Sequence, residues 1–176
     1  GIEKRILVSA TAPEALAAEI ALQAPQRLDY LDALPDNILE IKYLNCGQKD
    51  KLQDLFLLLC VAADRSSIVF CNHRHTVGRT SDFLKENGIT NVYYHGALEQ
   101  RDRELALAKF RNGSVRTLVT TDLAARGLDI PNIRYIIHYH LPQNEESYIH
   151  RNGRTARVYK SGTVILMKGP EETLPD

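Results

Sequence analysis

The chain has 176 residues, with 22 Lys plus Arg against 22 Asp plus Glu, 44% apolar residues and no Trp. This describes a globular domain with room for an appendage and excludes disordered and fibrous classes. No apolar run reaches the roughly 18–20 residues of a membrane span, so no membrane partner is expected, and zero net charge gives no overall pull toward a polyanion.

The sequence opens on Gly1-Ile2-Glu3-Lys4-Arg5 without a Met, and the chain is expected to be a fragment. Residues 5–9 read as a strand and 13–23 as an Ala-rich helix with Pro13 at its start. A mixed stretch follows, and Pro35-Asp36-Asn37 marks a boundary, so 1–37 and 38–176 are read as separate parts. From Ile38 onward, short apolar strands alternate with amphipathic helices. Residues 38–44 are a strand and 49–62 a helix, with Leu52, Leu55, Phe56 and Leu59 on one stripe. Residues 67–71 form a continuous apolar run, as in a buried parallel strand. Next come a helix over 76–87 stopped by Gly88, a strand over 92–94, and a helix over 99–112 stopped by Asn112-Gly113. Leu98, Leu105 and Phe110 are assigned to the apolar side of that helix. Strands over 116–121 and 134–139, a short helix over 144–152 and a strand over 163–167 complete the pattern. Such strand–helix–strand units imply an α/β fold with a mainly parallel sheet covered on both faces, its ligand site beyond the strands' carboxyl ends.

Charge is unevenly distributed. Residues 65–160 hold 15 Lys plus Arg and 9 Asp plus Glu, and the remainder hold 7 and 13, so the zero total joins a +6 stretch to a −6 remainder. A local basic field attracts a polyanion whatever the total, although uneven surface decoration produces the same count. The densest cluster is His150-Arg151-Asn152-Gly153-Arg154-Thr155-Ala156-Arg157, whose arginines at spacings of three share one face of a helix or turn. Arginine's planar fork binds phosphate oxygens bidentately, and Gly153 argues against a merely solvated helix face. Thr120-Thr121-Asp122-Leu123-Ala124-Ala125-Arg126-Gly127-Leu128-Asp129-Ile130 follows a strand directly and has the parts of a phosphate- or ribose-binding loop. Asp122 or Asp129 would equally cap a turn. His138 and His140, two apart, have no third ligand at sensible spacing, so no metal site is expected. Cys46, Cys60 and Cys71 are odd in number and lack paired spacing, which favours a reducing, cytoplasmic setting.

Residues 150–157 resemble motif VI of the DEAD-box RNA helicases, His-Arg-x-Gly-Arg-Thr-Gly-Arg. Residues 121–130 resemble motif V, and Ile68-Val69-Phe70-Cys71-Asn72-His73-Arg74 resembles motif IV. His95-Gly96 with Gln100 and Arg103 resembles motif IVa, and Ser9-Ala10-Thr11 resembles motif III, which closes the first of that family's two RecA-like domains. The likeness runs in register from about residue 4 to 168. It implies a RecA-like three-layer sandwich over 38–176, preceded by the tail and linker of the first domain. Asn152 and Ala156 depart from the commoner Ile and Gly, and His140 stands where Asp is frequent. A histidine there is expected to titrate near the reference pKa of roughly 6.5 and make an interdomain contact pH-sensitive.

By this resemblance Arg154 and Arg157 are arginine fingers for ATP, Asp129 and Gly127 belong to the nucleotide loop, and Asp129 bonds the ribose. Arg74, Gly96, Gln100, Arg103 and Thr121 lie along an RNA backbone, with Gly127 beside them. Ser9, Thr11, Arg126, His150 and Arg151 join the interdomain network. The sequence contains neither Gly-x-x-x-x-Gly-Lys-Ser/Thr nor Asp-Glu-Ala-Asp. ATP and Mg²⁺ are therefore expected on a first, N-terminal RecA-like domain, and this chain alone is expected not to hydrolyse ATP. The implied function is the second motor domain of an ATP-dependent RNA helicase. The alternatives are a non-catalytic RNA-binding or partner-docking module, which has no use for γ-phosphate fingers, and a DNA helicase of the same superfamily, which His150 disfavours. Residues 1–37, away from their home sheet, are expected to pack on this domain, swap with a second copy or pair at a sheet edge.

Overall fold

The computed structural model describes residues 39–125, 128, 130, 133–155 and 161–173. The strand and helix expected over 5–9 and 13–23, and the boundary at Pro35, lie outside them.

Strand β1 spans Leu39–Asn45, helix α1 Leu52–Ala62, β2 Ser67–Phe70, α2 Arg74–Glu86 and β3 Asn91–Tyr94. Helix α3 spans Gln100–Arg111, β4 Thr117–Thr120, α4 Asp122–Ala125, β5 Tyr135–His138, α5 Glu145–Asn152 and β6 Gly162–Lys168. The strands form one sheet in the order β1-β6-β5-β2-β4-β3, and every neighbouring pair is parallel.

The sequence pattern explains the layering. All residues of β2 and β4, and all but the last of β6, are buried. These short runs are apolar on both sides because helices cover both faces. Val69, Cys71, Val119, Ile137 and Met167 pack with Leu52, Leu55 and Leu59 of α1 and Val77 and Leu84 of α2. Their neighbours Ile68, Phe70, Leu118, Ile136 and Leu166 point the other way, toward Leu107 and Phe110 of α3 and Ala125 of α4. The period-2 alternation therefore serves two cores in a three-layer α/β sandwich. Of the expected stripe on α3, Phe110 is buried, but Leu105 is 51% exposed, and Ala106 and Leu107 are buried in its place. Helical spacing alone does not settle which neighbouring residues face the sheet.

Helix ends follow local chemistry. Gly88, at φ 83°, ends α2 with Ile89 N–H donating to Leu84 O at 2.8 Å and Gly88 N–H to Lys85 O at 3.0 Å. This Schellman closure requires the left-handed conformation glycine adopts freely. The Asn144 side chain accepts from Ser147 N–H at 2.8 Å and starts α5. Just before α1, Lys51 is buried to 2% exposure, donating to Met167 O at 2.9 Å and Glu172 Oε2 at 2.8 Å beneath the Tyr139 ring. Glu172 also accepts from Gly169 N–H at 2.7 Å. Burial pushes its carboxyl pKa up, but the Lys51 and Gly169 bonds outweigh this and leave it below the ordinary value. The segment after β6 is thereby fastened to the start of α1.

Candidate functional site

The parallel register brings four strand ends level. Phe70 of β2 stands opposite Thr120 of β4 and His138 of β5, and Thr120 stands opposite Tyr94 of β3. The loops that follow leave from one edge, where α/β sheets place their ligands. Hydrogen bonds between strands fix this edge. Thr120 Oγ1 donates to Tyr94 O at 2.8 Å, Cys71 N–H to Thr120 O at 2.9 Å, and His140 N–H to Phe70 O at 3.3 Å.

Behind the edge lies a buried arginine. Arg151, in the last turn of α5, is 1% exposed. Its Nε and Nη2 donate to the Asp122 carboxylate at 2.5 and 2.6 Å, a bidentate pair. Nη2 also donates to Asn72 Oδ1 at 2.8 Å, and Nη1 donates to His140 O at 2.7 Å and approaches His138 Nδ1 at 3.3 Å. The guanidinium lies over the Phe70 ring, 5.2 Å from its centroid. One side chain thus joins β2, α4, β5 and α5. A buried charge with every donor engaged is stable where it sits, and exposing it means breaking the whole set. Arg151 is therefore held by groups of the described fold itself, its guanidinium buried among them. His150, on the neighbouring helix position, is only partly covered and lies 3.7 Å from Glu146.

The remaining residues singled out in the sequence are distributed as follows. Arg74 is exposed at the start of α2. Gly96 is exposed, and a Cβ there would meet no other atom within 4 Å, so the backbone is open to a ligand. Gln100 accepts from Arg103 at 2.7 Å and donates to Glu104 at 2.6 Å, which makes one chain of the first turn of α3. Thr121 is half-buried, and its Oγ1 accepts from Ala124 N–H at 3.4 Å, so it caps α4. Arg154 is half-buried with Nη1 donating to Leu128 O at 2.7 Å, which joins the arginine cluster to the loop after β4. Ser9, Thr11, Arg126, Gly127, Asp129 and Arg157 lie outside the described residues. Leu123 is 78% exposed beside Asp122 on α4, a helix that the sequence pattern alone read as loop.

His140 does not titrate near 6.5. Burial and the nearby Lys51 charge push its pKa down to about 4, and its Nδ1 accepts from Asn72 N–H at 3.1 Å, a bond available only to the unprotonated nitrogen. His138 is also pushed down to about 4, by burial first and then by Arg151, and both its ring nitrogens are engaged by protein groups. Burial raises the Cys46 and Cys71 thiols to about 12, so both stay protonated and unreactive. The sequence reading quoted Asn72 only within motif IV and weighed His138 only as a metal ligand, and saw neither as a partner of Arg151. Their signal is a polar side chain at or just past the carboxyl end of a buried strand, His138 ending β5 and Asn72 following β2.

Comparison with known proteins agrees with this architecture. A model of the helicase conserved C-terminal domain matches residues 48–159. The chain is 40% identical over 175 residues to the ATP-dependent RNA helicase DbpA of Escherichia coli (strain K12), which covers 95% of this chain and 37% of the relative. It is 41% identical over 124 residues to Eukaryotic initiation factor 4A of Drosophila melanogaster, covering 70% and 31%. This chain spans 17% to 37% of the length of the curated relatives it matches. Among solved structures, E. coli DEAD-box protein SrmB bound to regulator of ribonuclease activity A superposes with a TM-score of 0.68 at 34% identity, over 75% of this chain and 78% of that one. S. cerevisiae Dbp5 bound to RNA and ADP BeF3 gives 0.79 at 30% identity, over 93% and 44%. With motifs IV, V and VI joined at one sheet edge, these likenesses establish that the chain belongs to the helicase conserved C-terminal domain family and carries the RecA-like C-terminal domain of a DEAD-box RNA helicase.

Proposed function

We propose that this chain is the second motor domain of an ATP-dependent RNA helicase, with residues 1–37 the tail and linker of the first domain and 38–176 the second. Arg154 and Arg157 reach ATP held by the N-terminal RecA-like domain, and Asp129 and Gly127 complete the nucleotide site. Arg74, Gly96, Gln100, Arg103 and Thr121 follow the RNA backbone. Ser9, Thr11, Arg126 and His150 join the two domains, with the exposed Leu123 as an apolar contact beside them. Arg151 acts from behind, holding the loops that carry these residues.

The observation that carries this reading is the seat of Arg154. Its guanidinium is fastened to the Leu128 carbonyl in the motif V loop, one turn from the Arg151 hub, so motif V and the finger move together. Support for RNA and nucleotide comes from the relatives, one named an ATP-dependent RNA helicase and another solved with RNA and ADP BeF3. Bound ATP supplies the phosphoanhydride that is cleaved; this chain contributes positive charge opposite it and positions the RNA. Mg²⁺ is assigned with ATP to the N-terminal domain, because the sequence has neither the phosphate loop nor Asp-Glu-Ala-Asp, and no step is routed through it here. The described residues contain no helix long and apolar enough to cross a membrane, and three unpaired cysteines suit a reducing cytoplasm.

The test is Arg154→Ala in the full-length protein. RNA-stimulated ATPase should fall by roughly 10³-fold or more, while single-stranded RNA binding by this chain changes little and weakens with added salt. Retained ATPase would overturn the finger assignment. Salt-independent RNA binding would overturn the backbone reading.

A further inference from the structure

Arg151 has only donors to offer, whatever the pH. Its Nη1 lies 3.3 Å from His138 Nδ1, so that nitrogen carries no proton and accepts. A neutral imidazole then keeps its proton on Nε2, which lies 2.9 Å from Asn152 Oδ1 and donates to it. The reverse orientation of the Asn152 amide would set its NH₂ against the Nε2 proton, or force that proton onto Nδ1 against the guanidinium. The arginine's donors at Nδ1 and the amide oxygen at Nε2 thus favour the same histidine tautomer from opposite sides of the ring. His138 is fully buried, and Asn152 is 8% exposed.

The arrangement leaves Asn152 Nδ2 without a well-formed hydrogen bond among the described residues, its amide interacting only weakly with the Tyr148 hydroxyl. An apolar side chain, such as the Ile commoner at this place in motif VI, would fill the space without a poorly satisfied donor. What the amide adds is one acceptor at one point. We propose that His138 and Asn152 are a positioning pair for Arg151, in which Asn152 selects the Nε2–H form of His138 and so presents the lone pair that orients the guanidinium toward Asp122 and Asn72.

The surroundings of His138 agree with a permanently neutral ring. On α5 it faces Arg151, Asn152 and the Tyr148 ring, 5.8 Å between centroids; on β2 the Phe70 ring, at 6.3 Å; and on α4 the Asp122 carboxylate. Burial and the Arg151 charge disfavour the imidazolium, while Asn152 and Asp122 oppose them more weakly. Protonation would place a second donor on Nδ1, opposite Nη1, and remove the bond the pair exists to make.

The inference deepens the part given to Arg151 in the proposed function, but its test uses neither RNA nor nucleotide, so either can fail while the other stands. In this chain labelled with ¹⁵N-histidine, NMR should show His138 protonated at Nε2 and bare at Nδ1 from pH 7.5 to about 5. A wild-type ring protonated at Nδ1 overturns the proposal without any variant. In Asn152→Asp the carboxylate should raise the His138 pKa by at least one unit, and across that titration the Arg151 Nε–H should exchange at least 10-fold faster. Asn152→Ile should give mixed tautomers and intermediate exchange. A variant merely filling space would leave Arg151 exchange flat in both cases, and that result would also overturn the proposal.

Discussion

The Thr155 side chain occupies the space into which any side chain at Gly162 would project. A Cβ added at Gly162 would stand 2.9 Å from both Cβ and Cγ2 of Thr155, whose hydroxyl donates to Ile133 O. Thr155 also bridges to Ile133, next to the half-buried Arg154. Glycine at the start of β6 is therefore required by a side chain of motif VI, not by its own backbone angles.

Gly162→Ala should accordingly destabilise the domain by about 1–3 kcal/mol through overpacking. Urea titration would show this as a lower midpoint at unchanged slope. The pairing of Thr155→Ala with Gly162→Ala should recover part of the loss, because the clash is with the threonine side chain.

The Arg151–Asp122 pair should behave as a unit. Asp122→Ala leaves a buried guanidinium short of its main partner and should cost about 3–5 kcal/mol, near the range for breaking a buried ion pair. Arg151→Met alone should cost a similar amount. The double variant should fall short of the sum by more than about 1 kcal/mol, since the second change removes a charge that the first had stranded. Strict additivity in chemical denaturation would show that the pair is not coupled.

Much of this organisation could be read from the residues in order. Apolar runs such as Ser-Ile-Val-Phe and Thr-Leu-Val-Thr fixed the buried strands, and Gly88 and Gly113 marked helix ends, because those are consequences of local sterics and burial on two faces. Motifs V and VI were recognisable as strings. What the strings did not contain was which arginine works inside and which at the edge. Arg151 and Arg154 share a residue type and a spacing of three, and only the level ends of β2, β4 and β5 put Asn72, Asp122 and His138 around the first. The depressed His140 pKa was equally hidden, because burial beside Lys51 depends on a lysine 89 positions away in sequence. The exposure of Leu105 depended on which side of α3 faces the sheet, with Ala106, Leu107 and Phe110 inward, and helical period alone does not encode that choice.

Acid should weaken the fold in a defined window. His138 and His140 are both held near 4 when folded, against roughly 6.5 in an unfolded chain. Between those values the unfolded chain binds more protons, so stability falls as pH drops from about 6.5 toward 4, where the histidine contribution levels off and the depressed Glu172 carboxyl takes over the loss. Each histidine contributes a slope of up to roughly 1.4 kcal/mol per pH unit within the window. Denaturation at a series of pH values should show the fall, and His140→Asn should flatten it by about one proton's worth. A profile unchanged by that substitution would refute the assignment.

The Lys51–Glu172 contact yields a sharper contrast. Glu172→Ala strands a nearly buried ammonium with, among the described residues, only Met167 O and the Tyr139 ring, and should destabilise by about 1–3 kcal/mol, moderated by the partial exposure of the carboxylate. Lys51→Met removes the charge along with its need and should cost less. Thermal unfolding of both, with hydrogen exchange at Gly169, checks the order and the loosening of the segment.

The pairing of β1 with β6 has a consequence for how the domain is made. Glu40 and Thr163, neighbours across these strands, are 123 residues apart in the chain, and among the described strands β1 pairs with no other. During synthesis at ~5–20 residues per second, β1 waits roughly 6–25 s for its only partner to emerge. Leu39, Ile41 and Tyr43 stay exposed even in the finished fold, with Glu40 and Lys42 between them. The strand can therefore wait in water beside the ribosome, and the charges that separate its apolar residues make it a poor nucleus for aggregation during the interval.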